Sequence, residues 1–169
     1  MNRTLISCDW GTTYLRLREI NLADGAIQRQ IHVDQGVARI AAGLEPADNA
    51  ARFAATLEEH LAAWFPHTER DARPSVLISG MASSSIGWRE LPYARLPFSL
   101  AGEGIECHAL EASCPELVHQ PTLLISGARS ETDVMRGEET ELLGLGSLLR
   151  EHLLAECVVL LTGDRKSVV

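Results

Sequence analysis

The stretch CDWGTTYLRLRE, residues 8 to 19, constrains the fold more than any other part of the chain. A short apolar strand runs into Asp9, Gly11, Thr12 and Thr13, and an alternating strand then resumes. Strands disfavour Asp and Gly, so this grouping marks a turn. A turn that only reversed the chain would need fewer special groups, whereas one that holds a phosphate and its metal would need about these. Several backbone N–H groups gathered in a tight turn form a concavity for an anion. Gly11 lets the backbone come close to a ligand, and the two threonine hydroxyls add donors. Asp9 at the strand end is suited to hold Mg²⁺ through water, because that ion dehydrates reluctantly. The alternative is a polar hairpin whose threonines satisfy only local backbone groups.

The rest of the pattern predicts mixed α/β architecture. Residues 4–8, 14–20 and 26–33 read as three strands, with Asp24-Gly25 as the hairpin turn between the last two. Pro46, Asp48 and Asn49 open a helical stretch carrying Phe53, Leu57, Leu61 and Trp64 at helical spacing, with Glu58 and Glu59 facing water, and Pro66 ends it. Residues 76–79 and 122–126 read as short buried strands, each followed by a glycine, Gly80 and Gly127. Ligands of α/β proteins gather at such strand ends. A second helix is predicted over 138–152 through Leu142, Leu145 and Leu149, and a last strand over 157–161. Three meandering strands followed by helices alternating with buried strands predict an α/β fold, a ribonuclease H-like domain with a mixed sheet flanked by helices.

Bulk properties narrow the function. At 169 residues with 46% hydrophobic residues, one globular domain with a sizeable core is expected. A formal net charge of −8 argues against a nucleic-acid partner bound by phosphate neutralisation. No apolar run approaches the length of a membrane span, so no membrane partner is expected and a cytoplasmic setting is. The four cysteines, Cys8, Cys107, Cys114 and Cys157, form no CxxC pair. Cys107, His108, Cys114 and His119 do not make a convincing zinc set, because adjacent Cys and His side chains do not easily point at one ion. The remaining histidines, including His32, His60 and His67, read as surface or boundary residues.

Four segments in order add a family resemblance. DWGTT resembles the first phosphate motif of the superfamily that joins sugar kinases, actin and the heat-shock chaperones. Together with ISGMASSSIGW (78–88), LPYARLP (91–97) and DVMRGEETELLG (133–144), it resembles the 2-dehydro-3-deoxygalactonokinase family. The resemblance implies an actin-like ATPase lobe that takes part in ATP-dependent phosphorylation of 2-dehydro-3-deoxygalactonate to its 6-phosphate, in galactonate catabolism. It implies ATP and Mg²⁺ as cofactors, with Asp9 at the metal and Gly11, Thr12 and Thr13 at phosphate. Gly80, Met81, Ser84, Gly87 and Trp88, with Arg136 and Glu138 or Glu139, are the expected contacts to the sugar acid.

Each segment also has its own physical reading. Glu138, Glu139 and Glu141 lie in the first turn of the predicted helix, where acids favour the positive end of its dipole. Arg136-Gly137 is not explained that way, and an arginine fork matches a carboxylate in bidentate geometry. GMASSSIGW offers two glycines for close approach, the hydroxyls of Ser83, Ser84 and Ser85, and Trp88 as an apolar wall, and it is equally a serine-rich loop anchored by a tryptophan. Tyr93 reads as a packing residue.

The resemblance weakens after residue 161. Family members have two lobes and a stretch like PGTHSKW near this point, where this sequence reads TGDRKSVV. The expected organisation is therefore a first lobe over 1–161, a divergent tail over 162–169 and no second lobe, which in related sugar kinases carries the catalytic base. The surface left by a missing lobe is expected to favour self-association. A sugar-acid binding module without catalysis, or an interaction domain that kept the fold, is the other class open to such a chain.

Overall fold

A computed structural model describes residues 4–43, 49–99, 101–113 and 118–144. The main sheet has six strands in the order β3-β2-β1-β4-β7-β6. They are β1 (Thr4–Trp10), β2 (Leu15–Asn21), β3 (Ile27–Val33), β4 (Ser75–Gly80), β6 (Cys107–Ala109) and β7 (Thr122–Ile125). β1, β2 and β3 form an antiparallel meander, β4 runs parallel to β1 and β7 parallel to β4, and β6 closes the far edge antiparallel. A second sheet of β5 (Ala94–Arg95), β8 (Ala128–Arg129) and β9 (Val134–Met135) sits over the loop region. The mixed sheet with its antiparallel meander and parallel continuation is the ribonuclease H-like layout that the sequence predicts.

The α-helices described up to residue 113 are α1 (Val37–Ile40), α2 (Asn49–Trp64) and α3 (Leu110–Ser113), with short 3-10 helices at Arg70–Ala72 and Met81–Ser83. A fourth, α4, begins at 138, and its described part reaches 144. The predicted remainder of that helix, the predicted strand over 157–161 and the tail over 162–169 lie outside the described residues, as do Pro46, Asp48, Cys114 and Cys157.

Strand periodicity sorts the meander into two faces. Ile6, Cys8 and Trp10 of β1, with Leu15, Leu17 and Glu19 of β2, are buried on one face. α2 covers that face because Phe53, Leu57 and Leu61 recur every four residues along it and are buried. Trp10 meets Phe53 edge-on at 4.9 Å and Trp88 edge-on at 6.3 Å, while Phe53 and Trp88 stack at 6.1 Å. Burying each such side chain contributes roughly 1.5–3 kcal/mol. Glu19 is tolerated here because Arg29 pairs with it, donates to the Trp64 carbonyl at 2.9 Å and lies over the Trp64 ring. Burial, reinforced by the Asp9 charge, pushes the Cys8 thiol well up, so Cys8 behaves as a small core residue. Glu58 does not simply face water as its helical position suggests, because it receives Arg70 at 3.1 Å and Arg73 at 2.9 Å and ties α2 to the segment before β4.

Candidate active site

Ser7 and Asp9 of β1, with Arg16 and Arg18 of β2, point to the other face, where a cleft of about 610 Å³ opens at the carboxyl ends of β1 and β4. One wall is the β1–β2 turn. Gly11 N–H donates to the Tyr14 carbonyl at 2.9 Å and closes it. The carbonyls of Gly11, Thr12 and Thr13 accept from the amides of Val37, Ala38 and Gly36 at 2.9, 3.1 and 2.9 Å. With its carbonyls held by that segment, the turn leaves the Thr12 and Thr13 amides without a protein acceptor among the described residues. Both threonines are exposed at the cleft. This is the arrangement an anion-binding nest requires.

Glycine matters here in two different ways. A Cβ at Gly11 would meet only the Tyr14 carbonyl oxygen, at 3.5 Å, so the fold itself does not demand glycine there and the space belongs to the cleft. A Cβ at Gly36 would lie 2.2 Å from the Thr13 carbonyl carbon, so the segment that braces the turn fits only as glycine. The sequence reading missed Gly36, and local pattern could not reveal it, since the contact joins residues 23 positions apart.

Asp9 stands beside the turn with about a third of its side chain exposed, and its Oδ2 accepts from Arg16 Nη1 at 2.8 Å. The carboxylate faces the cleft next to the free amides, so the donor set fits a water-linked Mg²⁺ accompanying a bound phosphate.

The opposite wall is built from Tyr93, Met81 and the 134–141 segment. Gly137, at φ +108, brings this segment against Gly80 at the end of β4, where a Cβ on Gly137 would stand 3.6 Å from the Gly80 Cα. Gly80 has φ +90, and a Cβ there would meet the Trp10 carbonyl oxygen at 2.8 Å. These two glycines let backbone pack on backbone at the strand ends.

Arg136 lines the cleft, but four hydrogen bonds within the protein engage all three of its guanidinium nitrogens. Nε donates to the Tyr93 hydroxyl at 3.0 Å, Nη1 to the Ser83 carbonyl and to Ser83 Oγ at 2.7 Å, and Nη2 to the Leu91 carbonyl at 3.4 Å. The guanidinium carbon also lies 4.0 Å from the Tyr93 ring centroid. A Cβ on Gly127 would meet the Arg136 Cγ at 2.6 Å, so the glycine after β7 makes room for this side chain. Tyr93, read from sequence as packing, is therefore part of the cleft and holds Arg136.

The three glutamates separate. Glu138 and Glu141 line the cleft. Glu139 is fully buried, and its two oxygens accept from the Gly137 N–H at 2.9 and 2.8 Å. Burial raises its carboxyl above the ordinary value, and the Gly137 hydrogen bonds work against that rise. Glu139 thus secures the start of α4 from inside.

Besides Glu139, four of the expected sugar-acid contacts lie elsewhere than on the cleft surface. Trp88 is 5% exposed in the core with Trp10 and Phe53, so it offers no free wall to a ligand. Gly87 is packed where a Cβ would meet the Ala82 carbonyl oxygen at 2.3 Å, and its own carbonyl accepts from Asn49. Ser84 is buried and closes a turn by donating to the Met81 carbonyl at 2.7 Å. Gly80 supports the cleft floor from beneath. Met81 is the residue of this loop that reaches the cleft.

A model of the 2-keto-3-deoxy-galactonokinase family matches residues 9–169. A curated Rhizobium meliloti relative named as a 2-dehydro-3-deoxygalactonokinase is 34% identical over 144 residues, covering 83% of this chain and 42% of the relative. The Escherichia coli 2-dehydro-3-deoxygalactonokinase is 31% identical over 155 residues, covering 90% of this chain and 46% of that protein. A crystal structure of a Sinorhizobium meliloti protein described as a 2-dehydro-3-deoxygalactonokinase superposes with a TM-score of 0.62 at 28% identity, over 88% of this chain and 43% of that one. The chain thus spans less than half the length of these relatives. With a family model matched from the first phosphate-type motif to residue 169, the chain belongs to the 2-keto-3-deoxy-galactonokinase family.

Proposed function

We propose that this chain supplies the phosphate-binding and acceptor-binding lobe for ATP-dependent phosphorylation of 2-dehydro-3-deoxygalactonate at its 6-hydroxyl. The observation that carries this reading is the β1–β2 turn. Its carbonyls are held by residues 36–38, Thr12 and Thr13 line a cleft with amides that have no acceptor among the described residues, and the Asp9 carboxylate lines the same cleft. Family membership and relatives named as kinases of this sugar acid support the substrate.

Phosphoryl transfer depends on placing the acceptor hydroxyl in line with the terminal phosphate and on stabilising spread negative charge. Gly11 leaves space for the phosphate chain to approach the backbone, and the amides and hydroxyls of Thr12 and Thr13 donate to its oxygens. Asp9 would hold Mg²⁺ through water, and the ion, when bound, neutralises phosphate charge. Met81, Tyr93, Glu138 and Glu141 wall the side from which the sugar acid enters, with the glutamates placed to accept from its hydroxyls.

Asp9→Asn tests the reading. Because the Asp9–Arg16 pair is substantially exposed, its loss should cost under about 1 kcal/mol of stability. The expected result is that nucleotide affinity measured with and without Mg²⁺ loses its metal-dependent part while thermal unfolding barely moves. Metal-dependent affinity equal to the parent's would remove Asp9 from the metal. Absence of Mg-ATP binding in the parent chain would favour a binding module without nucleotide chemistry.

A further inference from the structure

Three arginines line the cleft, and they are not equivalent. Recognition of a carboxylate by arginine needs a fork with paired N–H donors to spare. Arg136 has all three nitrogens committed to Tyr93, Ser83 and Leu91. Arg16 gives Nη1 to Asp9. Arg18 is half-buried on the uncovered face of the β1–β2–β3 meander, and among the described residues its guanidinium makes neither a hydrogen bond nor an ion pair.

A second cleft meets the same side chain. A further cleft of about 380 Å³, lined by Arg16, Arg18, Gln30, Ile31 and His32, shares its two arginines with the larger one. The strand register sets Ser7 opposite Arg18 on one side and Gln30 opposite it on the other. A hydroxyl, a guanidinium and an amide thus form one row across three strands. The row lies two residues beyond Arg16 along β2, about 7 Å farther from the phosphate-type turn.

We infer that Arg18, flanked by Ser7 and Gln30, is the subsite for the carboxylate of the sugar acid, in place of Arg136. The inference rests on the sugar-acid reading above and adds the residue that recognises the acid group. An acid whose far hydroxyl reacts at the turn must hold its carboxylate away from the turn, and Arg18 lies in that direction with its fork uncommitted. Arg136 instead fixes the wall along which the ligand lies.

The test titrates three probes into the 169-residue chain by calorimetry: 2-dehydro-3-deoxygalactonate, its methyl ester and inorganic phosphate, with Mg-ATP titrated in parallel. A charged pair of this kind corresponds to about tenfold or more in affinity. Arg18→Gln should weaken the acid by at least about that factor, Arg18→Lys should recover part of it, and the ester should bind the parent weakly and be indifferent to either change. Unchanged affinity for the acid in Arg18→Gln overturns the assignment. So does equal loss for acid and ester, which marks general damage, and so does displacement of the acid by phosphate at matching concentration, which assigns the arginine to phosphate. A parent that binds Mg-ATP but not the acid overturns the subsite and leaves the kinase reading standing, while one that binds neither overturns both. Thermal unfolding of each variant is measured alongside, and Arg18→Lys carries the comparison if Arg18→Gln does not fold.

Discussion

A guanidinium that gives every nitrogen to its own protein has no fork left for a ligand, and Arg136 is in that position. Its bonds reach Ser83, Leu91 and Tyr93, which lie between β4 and β5, and its own segment leads into α4. Lysine in its place would keep the charge but reach at most part of this set. The carbonyls of Ser83 and Leu91 would then lose a donor, at roughly 1–3 kcal/mol for a buried group left unsatisfied. Arg136→Lys should therefore lower the urea midpoint clearly, and it should weaken the sugar acid more than Mg-ATP, since the wall opposite the phosphate-type turn would loosen while the turn keeps its own brace. A loss confined to the sugar acid at unchanged stability would restore the carboxylate role that the motif suggests. At this scale the sequence shows which residues are unusual but not what they touch. DWGTT is legible because all its parts are local. Trp88 and Arg136 looked like ligand groups because a tryptophan beside serines, and an arginine before a glycine, carry no mark of the distant partners that occupy them.

Among the elements, the β1–β2 turn and the 36–38 segment act as one unit. Three carbonyls of the turn accept three consecutive amides, which leaves the Thr12 and Thr13 amides as the turn's uncommitted groups among the described residues. The close fit depends on Gly36, where a Cβ would overlap the Thr13 carbonyl. Gly36→Ala must push the segment away from the turn, so it should destabilise the chain by roughly 1–3 kcal/mol and abolish the Mg-dependent part of nucleotide binding, although residue 36 touches no ligand. Urea unfolding and nucleotide titration check the two effects. Full nucleotide affinity in a folded Gly36→Ala chain would show that the turn keeps its shape without the brace. The longer elements were legible because each carries its own period. β1, β2, β3, β4 and α2 fall within two residues of expectation, with β1 continuing through Trp10. β5, β6, β8, β9, α1 and α3 were not anticipated, because at two to four residues they carry no period, and the four short strands exist through pairing with distant strands.

Over the whole molecule, the order β3-β2-β1-β4-β7-β6 places the phosphate-type turn, the end of β4 and the start of α4 at one end of the sheet. That convergence was legible in outline, since glycines followed three predicted strands, but the second sheet that carries Tyr93 and residues 134–135 over the cleft was not. The same topology sets a limit on chemistry. The described residues bound the cleft with the turn on one side and the 134–141 segment on the other, and nothing described lies above them to exclude water. Phosphoryl transfer to an alcohol, rather than to water, depends on closure that shields the terminal phosphate. The relatives that carry the kinase name are more than twice as long as the stretch this chain matches. Apolar side chains also stand exposed, among them Tyr14 at the cleft rim, Leu123 of β7 and Val134 in the second sheet. The 169-residue polypeptide by itself should therefore bind Mg-ATP without transferring phosphate to 2-dehydro-3-deoxygalactonate at a useful rate, and it should associate with itself as its concentration rises. Coupled measurement of phosphate transfer and of mass by light scattering checks both parts. Sustained turnover by a stable monomer would show that one lobe encloses the reaction, and Glu138 and Glu141, the helix-start carboxylates that face the cleft, would then be the first groups to test as the base that takes the hydroxyl proton.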